Sequence, residues 1–358
     1  MSDGPPEPLT LSALGWNDRW ATLAADRADG TRPVRVMRHD GTAVLVGGDD
    51  GVESIPLRRS LPPLAVGDWL VVGDGTIVEV LERASLLQRR DPTGGGAQLI
   101  AANLDLVGIV CGLDRPVSAG RIQRMVIQVW DAGATPMVVL TKTDLVTDTT
   151  EAEEIAAAAA PGADVLVISS ETGEGLDAVH DAVAGLTVAF VGESGAGKST
   201  LVNALAGGDL AAIGAVRAGD QKGRHTTTAR ELHVLPDDVR LVDTPGIREM
   251  GLWTDVETVD DVFDDIGELA EQCRFRDCSH DAEPGCAVRA ALETGRLSVE
   301  RFDSWETLRR EAAAAELRAD PHARHQAARQ FGKIAREAQR EKSAQREKSE
   351  QRMKRPRD

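Results

Sequence analysis

Thr187-Val-Ala-Phe-Val-Gly192-Glu193-Ser194-Gly195-Ala196-Gly197-Lys198-Ser199-Thr200-Leu-Val-Asn-Ala-Leu-Ala206 is the stretch that decides the fold. An apolar run, a glycine loop and a helix-like segment come in succession, the order strand, loop, helix. Glycines let successive backbone N–H groups close around phosphate oxygens. Lys198 brings a point charge to the β and γ phosphates, and Ser199 offers a hydroxyl to Mg²⁺. The stretch predicts a nucleoside triphosphate site from Gly192 to Thr200 at one edge of an α/β sheet.

Three further segments bear on which nucleotide is held. Val239-Arg-Leu-Val-Asp243-Thr-Pro-Gly246 ends a buried-looking strand with a carboxylate for the Mg²⁺ shell and a glycine N–H for the γ phosphate, the pattern of a switch II. Gly223-Arg224-His225-Thr226-Thr227-Thr228 is rich in hydroxyls, and any of Thr226, Thr227 and Thr228 can complete the metal shell as a switch I threonine. Pro136-Met-Val-Val-Leu140 delivers Thr141-Lys142-Thr143-Asp144 to a strand's C-terminal end, where ligands collect in open α/β sheets. Asp144 can accept from guanine N1 and N2. Adenine lacks that donor pair, so against ATP the carboxylate would stand unpaired. Lys142 can lay its aliphatic stem along base and ribose. Thr141 stands where the common motif begins with Asn, so fewer hydrogen bonds between loops are expected, and competition between GTP and ATP decides the base. Val165-Leu-Val-Ile-Ser169-Ser170-Glu171 repeats the strand-then-polar-loop form, with its backbone expected at the guanine edge.

Along the chain the base-reading loops precede the phosphate loop, which precedes the switches: a circular permutation of the usual GTPase order. Domain termini often lie close together, so joining old ends and opening a surface loop preserves the packed sheet. A short amphipathic helix between Leu176 and Gly185 would make the new connection. The rearrangement attaches the C-terminal part of the chain to switch II, a segment that moves with the γ phosphate.

That C-terminal part carries Cys273-x4-Cys278-x-His280-x5-Cys286, three thiols and an imidazole in a turn-rich segment. This ligand set suits one tetrahedral, structural Zn²⁺. The fourth cysteine, Cys111, sits in the apolar run Asp105-Leu-Val-Gly-Ile-Val-Cys111 and reads as a buried strand residue. Before the GTPase motifs, Val34-Arg-Val-Met, Ala43-Val-Leu-Val46, Trp69-Leu-Val-Val72 and Thr76-Ile-Val-Glu-Val80 alternate with Gly, Asp and Pro turns. About five strands in this span predict an OB-type barrel, a fold that often binds RNA. Trp16 and Trp20 can stack on bases or pack at an interface, and Trp69 is expected in the barrel core.

The resulting organisation is an OB-like RNA-binding domain over 1–90, a permuted α/β P-loop GTPase domain over 91–262 entered through an Asp91-Pro-Thr-Gly-Gly-Gly96 linker, and a zinc-binding helical domain over 263–358. At 358 residues the chain has room for two or three domains. The formal net charge of −17 is uneven: residues 322–358 hold twelve Lys/Arg against five Asp/Glu. That tail reads as an exposed helix or a disordered arm able to touch phosphates. No apolar stretch approaches membrane-spanning length and the N-terminus lacks a secretory pattern, so a cytoplasmic monomer is expected.

Val66-Gly67-Asp68-Trp69, Ile100-Ala-Ala-Asn103-Leu-Asp105, Gly223-Arg-His-Thr-Thr-Thr228 and the Cys273 to Cys286 knuckle with Pro284-Gly285-Cys286 together resemble the ribosome small subunit-dependent GTPase A (RsgA/YjeQ) family over nearly the whole chain. The resemblance implies a late step in maturation of the 30S ribosomal subunit. It also implies contact with the subunit's rRNA, GTP hydrolysis stimulated by that subunit, and release once GDP has formed. A GTP-dependent rRNA-binding scaffold with incidental hydrolysis is the alternative. Ile247 comes directly after the Asp-Thr-Pro-Gly turn, where Ras-like enzymes place the glutamine that orients water. The catalytic set expected is therefore Lys198, a switch I threonine such as Thr227, and His225, unless the ribosome itself orders the water.

Overall fold

The computed structural model describes residues 9–25, 29–90, 97–208, 210, 230–243 and 259–319, apart from 261, 276, 277 and 282. Residues 223–228 and 244–247 lie outside these, and with them His225, Thr226, Thr227, Thr228, Gly246 and Ile247. The basic tail from 322 lies outside as well.

A short helix α1 (Asp18–Ala24), capped by the Asn17 side chain, leads into five antiparallel strands. These are β1 (Arg32–His39), β2 (Ala43–Gly48), β3 (Gly51–Pro56), β4 (Trp69–Gly73) and β5 (Thr76–Val80). They run in the order β3-β2-β1-β4-β5, and β3 comes back near β5, giving the partly open five-stranded ring of an OB-type barrel. Val34, Val36, Val44, Val46, Ile55, Leu70, Val72 and Ile77 fill it. The alternation of β4 sends Leu70 and Val72 inside, while Trp69 and Val71 point out to a second core shared with the GTPase sheet. Trp69 is thus a seam residue, where barrel core was expected. Trp16 meets it edge-on at 4.8 Å and Trp20 lies 6.0 Å away, so Trp69 and Trp20 are buried in that seam, unavailable to stack on bases.

Next, β6 (Leu86–Arg90) and β7 (Ala97–Ala102) pair antiparallel with Arg90 opposite Ala97. The strands on either side of 91–96 are thus partners; those residues, where a linker between domains was expected, lie outside the described ones.

The remaining strands are β8 (Leu106–Gly112), β9 (Thr135–Thr141), β10 (Asp164–Val167), β11 (Thr187–Gly192), β12 (Glu231–Val234) and β13 (Arg240–Asp243). Their order is β10-β9-β8-β11-β13-β12, parallel except for β12. The parallel strands β8, β9 and β11 are apolar almost throughout because helices cover both faces. α2 (Ala119–Asp131) and α3 (Thr150–Ala159) pack on one face, α4 (Leu176–Val183) and α5 (Lys198–Leu205) on the other. α4 supplies the connection expected of the permutation, with Val179 and Val183 buried. A single β1–β12 register, Arg38 opposite Glu231, continues this sheet into the barrel.

After switch II come α6 (Asp264–Glu271), α7 (Ala287–Glu293) and α8 (Val299–Ala319). Phe263, Ile266, Val288, Trp305 and Leu308 form their core, and Ile127 of α2 is buried in it. Arg301 clamps Asp265 at 2.6 and 2.7 Å and lies over Phe263, and Trp305 Nε1 donates to Asp260 at 2.9 Å. Among the described residues no helix is long and apolar enough to cross a membrane.

Candidate nucleotide site and metal centre

The C-terminal ends of β8, β9, β10 and β11 bring four loops to one edge of the sheet. Gly192 leaves β11 at φ 143°, and a Cβ there would lie 2.3 Å from the Val110 carbonyl oxygen. A side chain would therefore push the phosphate loop off β8. Gly197 (φ 92°) opens α5, which places Lys198, Ser199 and Thr200 in its first turn, where N–H groups lack helical partners. Lys198 Nζ donates to the carbonyls of Gly192 and Glu193 at 2.8 and 2.5 Å, so its charge is drawn across the loop. Ala196 is buried beneath, Ser194 and Gly195 are exposed, and Asp243 ends the neighbouring strand β13.

The loop after β9, expected to read the base, is stitched to this one. Thr141 Oγ1 donates to the Ala196 carbonyl at 2.6 Å and is buried. One cross-loop bond thus survives the exchange of Asn for Thr, which tempers the expectation that Thr141 would weaken the stitching. Lys142 turns left-handed at φ 66° and its Nζ reaches Asp114 Oδ2 at 3.1 Å. Asp144 Oδ1 accepts from Ser169 Oγ at 2.6 Å, and Ser169 Oγ in turn accepts from Thr172 N at 3.1 Å. The Ser169 side chain is fully buried and holds the Asp144 carboxylate, in the loop whose backbone was expected at the base. The Thr143 and Ser170 hydroxyls are buried without a hydrogen-bond partner.

One part of this edge escaped the reading of the sequence. The segment Gly112-Leu-Asp-Arg-Pro116 leaves β8 between the two loops and carries Asp114 and Arg115. Lys142, and then Arg115, hold the Asp114 carboxyl below the usual carboxylate range. Arg115 Nη1 lies 3.6 Å from Glu193 Oε2, which Arg121 of α2 binds at 2.7 Å. The available signal was position: charged residues at the C-terminal end of a parallel strand. Cys111 beside them is half-buried, and burial pushes its thiol up to about 11, consistent with an inert strand residue.

The cysteines and histidine of the C-terminal segment converge. The ligand atoms of Cys273, Cys278, His280 and Cys286 all lie within 4.8 Å of one another. Cys273 Sγ is 3.8 Å from Cys286 Sγ, and His280 Nδ1 is 3.7 and 3.5 Å from those two sulfurs. A tetrahedral cation with bonds of about 2.3 Å to sulfur and about 2.0 Å to nitrogen requires edges of about 3.8 and about 3.5 Å. Cys273, Cys286 and His280 match those edges, and Cys278 lies within 4.8 Å of all three. Backbone N–H groups of Ala287 and Arg289 donate to the Cys273 and Cys286 sulfurs at 3.3 and 3.4 Å, which suits thiolates. Burial, and then Arg309, lower the His280 pKa, leaving the imidazole neutral and able to bind a cation.

Comparison with known proteins agrees with this geometry. Over 350 residues the chain is 40% identical to the small ribosomal subunit biogenesis GTPase RsgA of Streptomyces coelicolor, covering 92% of this chain and 96% of the relative. The chain belongs to the RsgA GTPase family. The model of the RsgA GTPase matches residues 80–253, which include β6 and β7. A Vibrio parahaemolyticus relative, small ribosomal subunit biogenesis GTPase RsgA 2, is 41% identical over 93% of each chain. Among solved structures, YjeQ from Thermotoga maritima superposes with a TM-score of 0.57 at 27% identity, over 79% of this chain and 99% of that one. YloQ, a circularly permuted GTPase, gives 0.56 at 23% identity over 81% and 97%, a likeness of fold. The RsgA family thus accounts for the reversed loop order, and for a phosphate loop that comes after the base loop in sequence yet bonds to it in space.

Proposed function

We propose that this chain is a GTPase of small ribosomal subunit biogenesis, binding the 30S subunit and its rRNA as a cytoplasmic monomer and leaving after hydrolysis. The observation that carries the reading is the Thr141–Ala196 bond. It fixes the base loop against the phosphate loop in a chain whose relatives, matched along nearly their whole length, bear that name.

Each side chain then has a task. Asp144, aimed by Ser169, takes the guanine N1 and N2 protons, and Lys142 lies along the base. The N–H groups of Gly192 to Thr200 enclose the phosphates. Lys198 moves its charge from the loop carbonyls to the β and γ oxygens, where charge develops during transfer. Mg²⁺ bound with GTP neutralises the phosphate oxygens; Ser199, Asp243 and one of Thr226, Thr227 and Thr228 would hold it. His225 orients the attacking water unless the ribosome supplies that group. Cys273, Cys278, His280 and Cys286 would hold one Zn²⁺, which with four protein ligands is structural.

GTP turnover measured with and without purified small subunits tests the reading. Strong stimulation is expected, abolished by Lys198→Ala, which should cost about 100-fold or more in rate. GTP-dependent RNA binding without stimulation would mark a scaffold instead. His225→Ala should cut stimulated turnover while sparing GTP affinity; unchanged turnover would remove His225 from the mechanism.

A further inference from the structure

The base loop and the phosphate loop are linked by an unbroken run of alternating charges. Lys142 Nζ meets Asp114 Oδ2 at 3.1 Å, Asp114 Oδ2 meets Arg115 Nη2 at 3.2 Å, Arg115 Nη1 meets Glu193 Oε2 at 3.6 Å, and Glu193 Oε2 meets Arg121 Nη1 at 2.7 Å. Gly112 permits the approach, since a Cβ there would fall 2.6 Å from Asp114 Oδ1 and 3.4 Å from Ala196 Cα. The run holds three cations to two carboxylates. Lys142 sits at its base-reading end, and Arg115 Nη2 reaches within 3.7 Å of where a Cβ on Gly195 would stand, at the apex of the phosphate loop. A nucleotide spanning from Asp144 to that loop must lie alongside these charges.

We infer that Arg115 is a nucleotide-binding residue that contacts the phosphate chain of bound GDP and GTP. This inference rests on the assignment of Gly192 to Thr200 as the phosphate loop. Arg115 is the member of the run best placed to change partners. It is half exposed, and its contact with Glu193 is looser than that of Arg121. When it swings to a phosphate, Asp114 keeps Lys142 and Glu193 keeps Arg121, so neither carboxylate is left without a cation. The third cation therefore adds attraction for an anion where the phosphates lie, in a geometry suited to a planar guanidinium.

Release of a fluorescent GDP from the full chain tests this, with unlabelled guanosine as a competitor that lacks phosphate. Arg115→Ala should speed GDP release about tenfold, the size of one charge-assisted hydrogen bond, and leave guanosine competition unchanged. Arg115→Lys should recover part of the loss, and melting without nucleotide should match the parent chain. Unchanged GDP release in Arg115→Ala, or equal loss for GDP and guanosine, overturns the inference. Failure of the parent chain to bind GDP at all would instead overturn the assignment of the phosphate loop.

Discussion

At the scale of single residues, the proposed guanine selectivity would rest on one carboxylate and the hydroxyl that holds it. Asp144 is exposed, and a free Asp would sample several rotamers; the 2.6 Å bond from Ser169, itself buried, keeps one oxygen fixed and would leave the other for a base. Ser169→Ala should therefore weaken GTP binding about tenfold without changing which base is preferred, as calorimetry with GTP and ATP would show. Asp144→Asn presents an N–H where guanine also carries donors. It should exchange GTP for XTP, whose base has a carbonyl in place of the amino group; retained GTP preference in competition binding would contradict the contact. The place of Asp144 was legible because an apolar strand ending in a charged turn puts that turn at the strand's C-terminal end, where ligands collect in α/β sheets. Ser169 was legible as a place, but the bond from its side chain to Asp144 was not, since the sequence locates a loop without saying which hydroxyl meets which carboxylate. Arg115 was not legible at all: its partner Glu193 lies 78 residues away, and only the fold brings the two together.

At the scale of elements, barrel and GTPase sheet are locked by a buried arginine on β1. Arg35 is 1% exposed; it donates to the carbonyls of Leu14, Gly67 and Asn103 at 2.5 to 3.2 Å and to Thr187 Oγ1 at 3.1 Å, with its guanidinium over Trp69. Burial, and then Arg240, pull its pKa down to about 9, while Asp105 and Asp68 oppose them. Asp105 also accepts from Thr187 N at 2.7 Å, so the start of β11 is gripped from both the barrel and the β8 entry. Gly67 packs so close that a Cβ would stand 2.1 Å from the Ala102 carbonyl oxygen, and its φ of 93° disfavours a side chain as well. Two segments that carry the family resemblance, Val66 to Trp69 and Ile100 to Asp105, thus meet at one seam. The sequence shows each as a motif, but an Arg between valines on a strand reads as a solvent-facing residue, so their meeting was hidden. Arg35→Ala would strip the Leu14 and Asn103 carbonyls of this donor, while Gly67 keeps the Asn103 amide, and should cost about 3 to 5 kcal/mol in denaturant unfolding. Arg38→Ala, on the same strand but paired with Asp40 near the surface, should cost under about 1 kcal/mol. Equal losses at the two positions would contradict the seam.

At the scale of the whole molecule, the permutation places the metal-binding helices after switch II, and the structure adds a second link through α2. The first turn of α2 holds the phosphate loop through Arg121 and Glu193, and its Ile127 is fully buried among Phe263, Ile266 and Trp305. The helices α6 to α8 form a small unit, and one of this size is expected to depend on a bound cation for stability. Chelation should melt them first, seen as a separate low-temperature transition, while guanine nucleotide binding by the sheet edge persists. Loss of that unit would expose Ile127. Ile127→Ala should accordingly cost about 2 to 5 kcal/mol in the metal-loaded protein, the range for truncating a buried isoleucine. After chelation the same substitution should cost almost nothing, because the side chain would already stand in water. The comparison isolates the coupling, since each variant is measured against its own parent under the same condition. A penalty that survives chelation undiminished would mean that the sheet alone buries Ile127, and that α2 carries no strain from the phosphate loop into the metal-binding unit.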